Sequence, residues 1–178
     1  MSDERQLLNG LYRGEAAVLR QIYLMYKDDL LTVARSLVGD INTAEDCLQD
    51  VFVRLASEQR RIRRNLKGYL LTCIVNQARD SLRRTETRLK YHGDRPSPRP
   101  ATTDPARSLA ESDEVATVMR ALMKLSEQQR EIIVLHLQGD LRFREIATML
   151  DLSINTVQSR YRYGMERLQQ LVTKKEAI

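Results

Sequence analysis

All four prolines of the chain fall within residues 91–107, and this clustering most constrains how the chain can fold. The stretch reads YHGDRPSPRPATTDPAR and has almost no apolar residues. Because proline fixes φ and removes a backbone donor, the stretch can be neither a helix nor a central strand. We expect a flexible linker that is extended and positively charged in its first half. It divides the 178 residues into domains at 1–90 and 108–178.

Apolar residues on both sides of this linker recur at the spacing i, i+3, i+4, i+7, which is typical of helices with one buried face. With only seven glycines and few β-branched clusters, the predicted fold class is all-α, with two helical domains. The pattern predicts helices over about 3–12, 15–38, 42–55, 66–88, 109–124 and 127–138, and a basic loop over 57–65. The residues expected to point inward include Tyr23, Val115, Val118, Leu137 and Ile154.

The segment 141–171, LRFREIATMLDLSINTVQSRYRYGMERLQQL, predicts two short helices joined by a tight turn. Ser153 is a good cap for the second helix, because its hydroxyl can accept a bond from a free backbone N–H. The second helix has an outward face with hydrogen-bonding groups and no carboxylate before Glu166. Asn, Gln and Arg side chains on such a helix can pair with base edges in the major groove. This is typical of a helix-turn-helix, although an amphipathic pair with a solvated polar face has the same pattern.

Charge is divided unevenly along the chain. Residues 1–59 carry six basic and ten acidic side chains, residues 60–99 carry twelve and three, and residues 100–178 carry eleven of each. A basic block beside an acidic block indicates a nucleic-acid surface next to a surface for another partner.

Several functional classes find no support in the sequence. Cys47 and Cys73 are far apart and lie in apolar helical patterns, so we expect small buried side chains, no metal site and no cofactor. His92 and His136 are isolated from any Cys pair. No apolar run reaches the roughly 20 residues needed to span a bilayer, and the polar N-terminus does not resemble a signal peptide, so we expect a cytoplasmic protein. No P-loop or other catalytic motif is present, which argues against an enzyme.

Four ordered motifs resemble the bacterial RNA polymerase sigma factors of the sigma-70 family, extracytoplasmic-function (ECF) type. Residues 44–55, AEDCLQDVFVRL, look like a helix of that family's region 2, and Asn76, Asp80, Arg83 and Arg84 look like the end of that region. Leu125 with the 129–131 segment QRE looks like the start of region 4. The 145–147 segment EIA, followed by TVQSR at 156–160, looks like its helix-turn-helix.

This resemblance implies a role for each set of residues. Region 2 would dock on the β′ clamp helices of core RNA polymerase through Asp46, Gln49, Asp50 and Arg54. A solvated helix face is the alternative for these four. The −10 promoter element would be bound by Arg60, Arg61, Arg63, Arg64, Asn76, Arg79, Asp80 and Arg83, because melting DNA needs cationic contacts and a place for an unstacked base. Here the alternative is a basic solvated face.

The −35 element would be bound as a duplex by the second helix of the helix-turn-helix. The implied residues are Asn155, Thr156, Gln158, Ser159, Arg160, Arg162 and Tyr163. Gln158 stands where Lys or Arg is common, and it favours adenine by bidentate pairing. Tyr163 stands where Arg is common, and Tyr69 where many relatives carry Trp. Further implied partners are the polymerase β flap and an anti-sigma factor. A stand-alone helix-turn-helix repressor or activator is the competing hypothesis, although it requires neither the proline-rich linker nor the acidic 44–55 helix.

Overall fold

The computed structural model describes residues 2–57, 62, 65–92 and 113–173, and within these ranges all regular secondary structure is helical, as predicted. The eight helices of the described ranges are α1 (Ser2–Tyr12), α2 (Ala16–Val38), α3 (Ile41–Ser57), α4 (Leu66–His92), α5 (Asp113–Met123), α6 (Glu127–Leu137), α7 (Phe143–Leu150) and α8 (Ile154–Thr173). Most of the predicted linker and basic loop lies outside the described residues. The linker was predicted to begin two residues too early, because Tyr91 and His92 still belong to α4.

Helix α2 is the centre of the first group and contacts α1, α3 and α4. The next residue, Gly39, caps its C-terminus with a φ of 82°, and the Gly39 N–H donates to the Arg35 carbonyl. Asp40 then caps α3, since one carboxylate oxygen accepts from the Thr43 N–H at 2.8 Å and from its hydroxyl at 2.7 Å. Partial burial raises the pKa of Asp40, but these hydrogen bonds outweigh that effect and lower it. The helix therefore begins one residue before the predicted Asn42.

The apolar faces of these helices meet as expected. Leu48, Val51 and Leu55 of α3 and Leu70 and Ile74 of α4 are buried. Tyr23 was predicted to be inward, but it is 39% exposed. Its ring lies edge-on to Phe52 with centroids 5.0 Å apart, so it covers the rim of the core rather than filling it.

The second group consists of α5, α6, α7 and α8. Ser126 caps α6 by accepting from the Gln129 N–H at 3.3 Å, which is the first of the two bonds of the predicted capping box. Helix α8 lies across α5, α6 and α7. Leu122, Leu125 and Ile133 form a small buried cluster against it.

The two groups pack against each other, because Ile132 and Leu135 of α6 join the core formed by α2, α3 and α4. At the contact, the Ser36 hydroxyl lies 3.8 Å from the Met119 sulfur. The larger of the two buried clusters therefore contains residues from both helix groups.

Four apolar residues predicted to be inward are substantially exposed: Val115 at 46%, Val118 at 40%, Leu137 at 56% and Ile154 at 38%. Leu137 is the last residue of α6 and Ile154 is the first residue of α8. At these ends the apolar face of the helix extends past the part that neighbouring helices cover. The prediction was wrong there because a periodic pattern shows which face is apolar but not how far a neighbouring element covers it. Among the described helices, none has a stretch long and apolar enough to cross a membrane.

Candidate nucleic-acid interface

The turn between α7 and α8 fixes the direction of the exposed helix. Asp151 ends α7 with φ 54° and ψ 50°, a left-handed conformation that aspartate tolerates better than most side chains. Its N–H and that of Leu152 both bond the Ala147 carbonyl. The Ser153 hydroxyl then accepts from the Thr156 N–H at 3.0 Å, which confirms the predicted cap. The chain thus reverses over three residues, as a helix-turn-helix requires.

The predicted −35 residues all remain accessible on α8. Asn155, Gln158, Arg162 and Tyr163 are exposed, and Thr156, Ser159 and Arg160 are half-buried. The hydroxyls of Ser159 and Thr156 already have partners in the chain. The Ser159 hydroxyl donates to the Asn155 carbonyl at 2.8 Å, and the Thr156 hydroxyl lies 2.8 Å from that of the capping Ser153. The exposed amides and Arg162 are consequently better placed for base contacts than Ser159.

Arg162 and Tyr163 form a joined pair at the end of this face. The guanidinium carbon of Arg162 lies 4.8 Å from the Tyr163 ring centroid, and its Nη2 donates to the tyrosine hydroxyl at 3.1 Å. Stacking of this kind holds a guanidinium flat while its other donors stay available. The tyrosine that departs from the family pattern thus orients a neighbouring arginine.

An aromatic cluster holds α8 in place. His136 of α6 lies 4.4 Å from the Phe143 ring and 5.1 Å from the Tyr161 ring, measured between centroids. Its Nδ1 is 2.8 Å from the Leu141 carbonyl oxygen, which links α6 to the loop before α7. This positioning role of His136 was not predicted from the sequence, where the residue was weighed only as a metal ligand. The sequence does not indicate this cluster, because the three rings lie on three different helices and no periodic spacing relates them.

The predicted −10 residues that the structure describes lie along α4. Asn76 and Arg83 are exposed, while Arg79 and Asp80 are half-buried. Arg60, Arg61, Arg63 and Arg64 lie outside the described residues. The structure therefore places four of the eight predicted residues on one face of α4, in the middle of the helix.

Arg79 is already engaged by the second helix group. Its Nε and Nη2 donate to the two carboxylate oxygens of Glu131 at 2.5 and 2.6 Å. The side-chain hydrogen bond to Glu131 is the main reason that the pKa of Arg79 is raised. Glu131 had no predicted role beyond its place in the family motif. The sequence does contain a signal for this contact. Glu131 directly precedes the apolar run 132–135, which indicates that its carboxylate is buried, and a buried charge needs a partner.

The predicted polymerase-binding residues form an exposed row on α3: Asp46, Gln49, Asp50 and Arg54. Asp50 also accepts a short hydrogen bond from Nε2 of the buried Gln77, which ties α3 to α4. Beside the row, a groove of about 590 Å³ runs between α2 and α3, with Tyr23, Gln49 and Val53 among its lining residues. Polar groups beside exposed apolar side chains are typical of protein-binding surfaces.

Below this row, the Cys47 thiol is buried. Burial is the largest cause that raises its pKa to about 11, and the nearby carboxylates of Asp50 and Asp46 raise it further. The thiol is therefore protonated near neutral pH, and it is a small core side chain, as predicted.

Comparison with known proteins identifies the family. The model of sigma-70 region 2 matches residues 22–88, and the model of sigma-70 region 4 matches residues 116–168. Together they cover about two thirds of the chain, in the order that the motifs indicated. The chain belongs to the sigma-70 family, as an ECF-type sigma factor. It therefore directs RNA polymerase to promoters and starts transcription there.

Curated relatives span most of the chain. The ECF RNA polymerase sigma factor SigW of Bacillus subtilis is 22% identical over 88% of this chain and 89% of its own length. RpoE of Cereibacter sphaeroides is 29% identical over 71% of each chain. SigL of Mycobacterium tuberculosis is 27% identical over 90% of this chain and 92% of its own.

Solved structures share the fold. The sigma factor RpoE of Bartonella quintana, co-crystallised with the anti-sigma factor NepR, matches with a TM-score of 0.70 and 26% identity, over 86% of this chain and 96% of that chain. CnrH in complex with the cytosolic domain of CnrY matches with a TM-score of 0.72 and 24% identity, over 96% and 97%.

Proposed function

We propose that this sigma factor uses two domains, at 1–90 and 108–178, to bind separate promoter elements while α3 binds core RNA polymerase. The observation that carries the proposal is the accessibility of α8. The outward side of α8 stays free even though the two helix groups share a core. The surface that would bind DNA is thus distinct from the surface that holds the protein together.

The −35 element is bound by α8 in the major groove. Asn155 and Gln158 supply amides for adenine, and Arg162, oriented by Tyr163, supplies a guanidinium for guanine or phosphate. Arg160 and Thr156 are half-buried at the side of the helix, where contacts to phosphates fix its position on the duplex.

The −10 element is bound by the face of α4 that carries Asn76, Arg79, Asp80 and Arg83, together with the preceding arginines at 60, 61, 63 and 64. Cationic side chains neutralise the separated strands, and the amide of Asn76 can hydrogen-bond an unpaired base. The chain performs no chemical step itself. Strand opening is driven by binding within the holoenzyme.

Core RNA polymerase is bound through two surfaces. Asp46, Gln49, Asp50 and Arg54 of α3 contact the β′ clamp helices, and the adjacent α2–α3 groove adds apolar area. The β flap contacts the last turns of α8, where Met165, Leu168 and Val172 line a second, mostly apolar groove of about 570 Å³. The complex works in the cytoplasm, where transcription takes place.

An anti-sigma factor is the second proposed partner. Support comes from the Bartonella quintana RpoE structure, in which a sigma factor at 26% identity is held by the anti-sigma factor NepR. The exposed apolar side chains Tyr23, Leu24, Met25 and Val53 offer a surface that such a protein can cover. An inhibitor that binds there would exclude the β′ clamp helices.

The −35 assignment is tested by a pair of matched variants on one helix. Holoenzymes carrying Gln158→Ala and Gln170→Ala are compared on promoters with every base pair at each −35 position. Gln170 is an exposed glutamine on the same helix, outside the proposed DNA face. Loss of a bidentate pair costs about 1–3 kcal/mol, so Gln158→Ala should lose about 5- to 150-fold of its discrimination at one position. Equal behaviour of the two variants contradicts the assignment.

The core-binding assignment is tested with an equal change of charge on α3 and α4. Asp46→Asn should weaken association with core RNA polymerase, whereas Glu86→Gln should not, since Glu86 is exposed on α4 and is not one of the proposed polymerase-binding residues of α3. Competition for core RNA polymerase with the unchanged chain measures this difference. If Asp46→Asn and Glu86→Gln compete equally well with the unchanged chain, Asp46 is not part of the polymerase-binding surface.

A further inference from the structure

A hydrogen bond between Gln77 and Asp50 joins the interior of the first helix group to its surface. Nε2 of Gln77, on α4, donates to Oδ2 of Asp50, on α3. Gln77 is only 3% exposed, whereas Asp50 is exposed in the row of proposed polymerase-binding residues. A carboxylate on a solvated helix face otherwise changes rotamer within nanoseconds. The bond to a donor that packing holds still therefore fixes the direction in which the Asp50 carboxylate points.

Packing alone does not explain a glutamine at position 77. Its Oε1 atom is buried and has no hydrogen-bond partner among the described residues. A buried acceptor without a partner costs at least as much free energy as one ordinary hydrogen bond contributes. Ile74 and Ala78, which are also buried on α4, are apolar, and an apolar side chain at position 77 would leave no such acceptor. The amide is therefore better explained by what it does to Asp50 than by stability.

A neutral donor orients the carboxylate and leaves it able to bind a partner. The Gln77 amide carries no charge, so it does not cancel the negative charge of Asp50 as an arginine or lysine would. The bond to Oδ2 also leaves Oδ1 available to a donor on another protein. A side chain that is already held in place loses less conformational entropy when it enters an interface, which strengthens binding.

We propose that Gln77 is a positioning residue for the docking of core RNA polymerase, because it holds the Asp50 carboxylate in the orientation that the polymerase binds. Gln77 itself is buried and does not touch the polymerase. The inference rests on the proposed role of Asp50 in that surface. Immobilising one side chain on association weakens binding by about two- to tenfold, so this is the loss expected when the Gln77 donor is removed.

The test is a double-mutant cycle on the full chain with Gln77→Leu, Asp50→Ala and both together. Each chain competes with the labelled, unchanged chain for core RNA polymerase in the absence of DNA. Gln77→Leu should weaken the affinity about two- to tenfold when Asp50 is present. It should have no further effect in the Asp50→Ala background, because no carboxylate remains to be oriented.

Stability supplies a readout that separates positioning from a structural tie between α3 and α4. Gln77→Leu removes the unpaired Oε1 together with the bond, and water can replace the lost donor at the exposed Asp50. The midpoint of guanidinium unfolding should consequently stay the same or rise, while the affinity for core RNA polymerase falls. A lower midpoint with unchanged affinity would indicate a structural tie only.

Thr72→Val is the matched control for a change from a polar to an apolar side chain on α4. The Thr72 side chain is half-buried, and its hydroxyl donates to the Gly68 carbonyl of the same helix at 2.8 Å. Because this bond lies within α4, Thr72→Val should leave the affinity for core RNA polymerase unchanged.

The proposal is overturned if Gln77→Leu binds core RNA polymerase as tightly as Thr72→Val does, or if it weakens binding equally with and without Asp50. Should circular dichroism show that Gln77→Leu has lost helix, Gln77→Met takes its place in the cycle. Loss of helix in both also overturns the proposal, since the fold itself would then require the amide. Failure of the proposed function is distinguishable, because Asp50→Ala alone would then compete as well as the unchanged chain.

Discussion

Replacing Gly164 with alanine tests how closely α8 packs against α6. A Cβ at this position would lie 2.8 Å from Ile133 Cδ1 and 3.2 Å from Gln129 Cβ. Alanine stabilises a helix interior by about 1 kcal/mol relative to glycine. Overpacking a filled core costs about 1–3 kcal/mol, and Ile133 is buried against Leu122 and Leu125, so its methyl group has little room to move. We therefore expect Gly164→Ala to lower the free energy of unfolding by about 1 kcal/mol, despite its better helix propensity.

A double-mutant cycle with Ile133→Val isolates the cause. Ile133→Val removes the Cδ1 methyl and by itself costs about 0.5–1.5 kcal/mol. In that background the added Cβ no longer meets the methyl and only the Gln129 Cβ contact remains, so Gly164→Ala should become neutral to stabilising by about 1 kcal/mol, with a favourable coupling of about 1–2 kcal/mol. The assay is guanidinium unfolding of the four chains, read by far-ultraviolet circular dichroism. Strictly additive effects, or a Gly164→Ala chain that is more stable than the unchanged one, would refute the close approach of α8 to α6.

Three further outcomes follow from the contacts described above. Ser153→Ala removes the hydroxyl that caps α8 at Thr156, so it should cost about 1 kcal/mol of stability in thermal unfolding, and −35 duplex affinity should fall with it. The pKa of Asp40 is lowered in the fold, so the stability that its carboxylate contributes is present above its unfolded pKa and is lost as the pH falls through the folded pKa. Asp40→Ala should therefore change the free energy of unfolding less at pH 2 than at pH 7. An equal change at both pH values would contradict the hydrogen bonds of Asp40 to Thr43. Cys47, with a pKa of about 11, should resist alkylation by iodoacetamide at pH 7.5 and react only on unfolding, as mass spectrometry of the labelled peptide can show.

The parts of the molecule predictable from sequence were those set by local pattern. The Ser153 cap, the buried face of α3 and the outward side of α8 follow from residue types at fixed spacing, and all three are confirmed. The pairing of Arg79 with Glu131 was not predictable, because the two are 52 residues apart and no periodicity indicates which helices meet. Exposure of Leu137 was missed for the same reason: its neighbours are set by the path of the chain after α6, not by its own helix.

Division of promoter recognition between α4 and α8 can be tested by sequencing the 5′ ends of transcripts made by core RNA polymerase reconstituted with this chain on genomic DNA. New start sites should appear, and they should share two separate sequence elements, one centred near −10 and one near −35. Substitution of Gln158 should alter the preference at the distal element alone. Start sites identical to those of core polymerase without the chain, or starts that share only one element, would contradict a division of promoter recognition between α4 and α8.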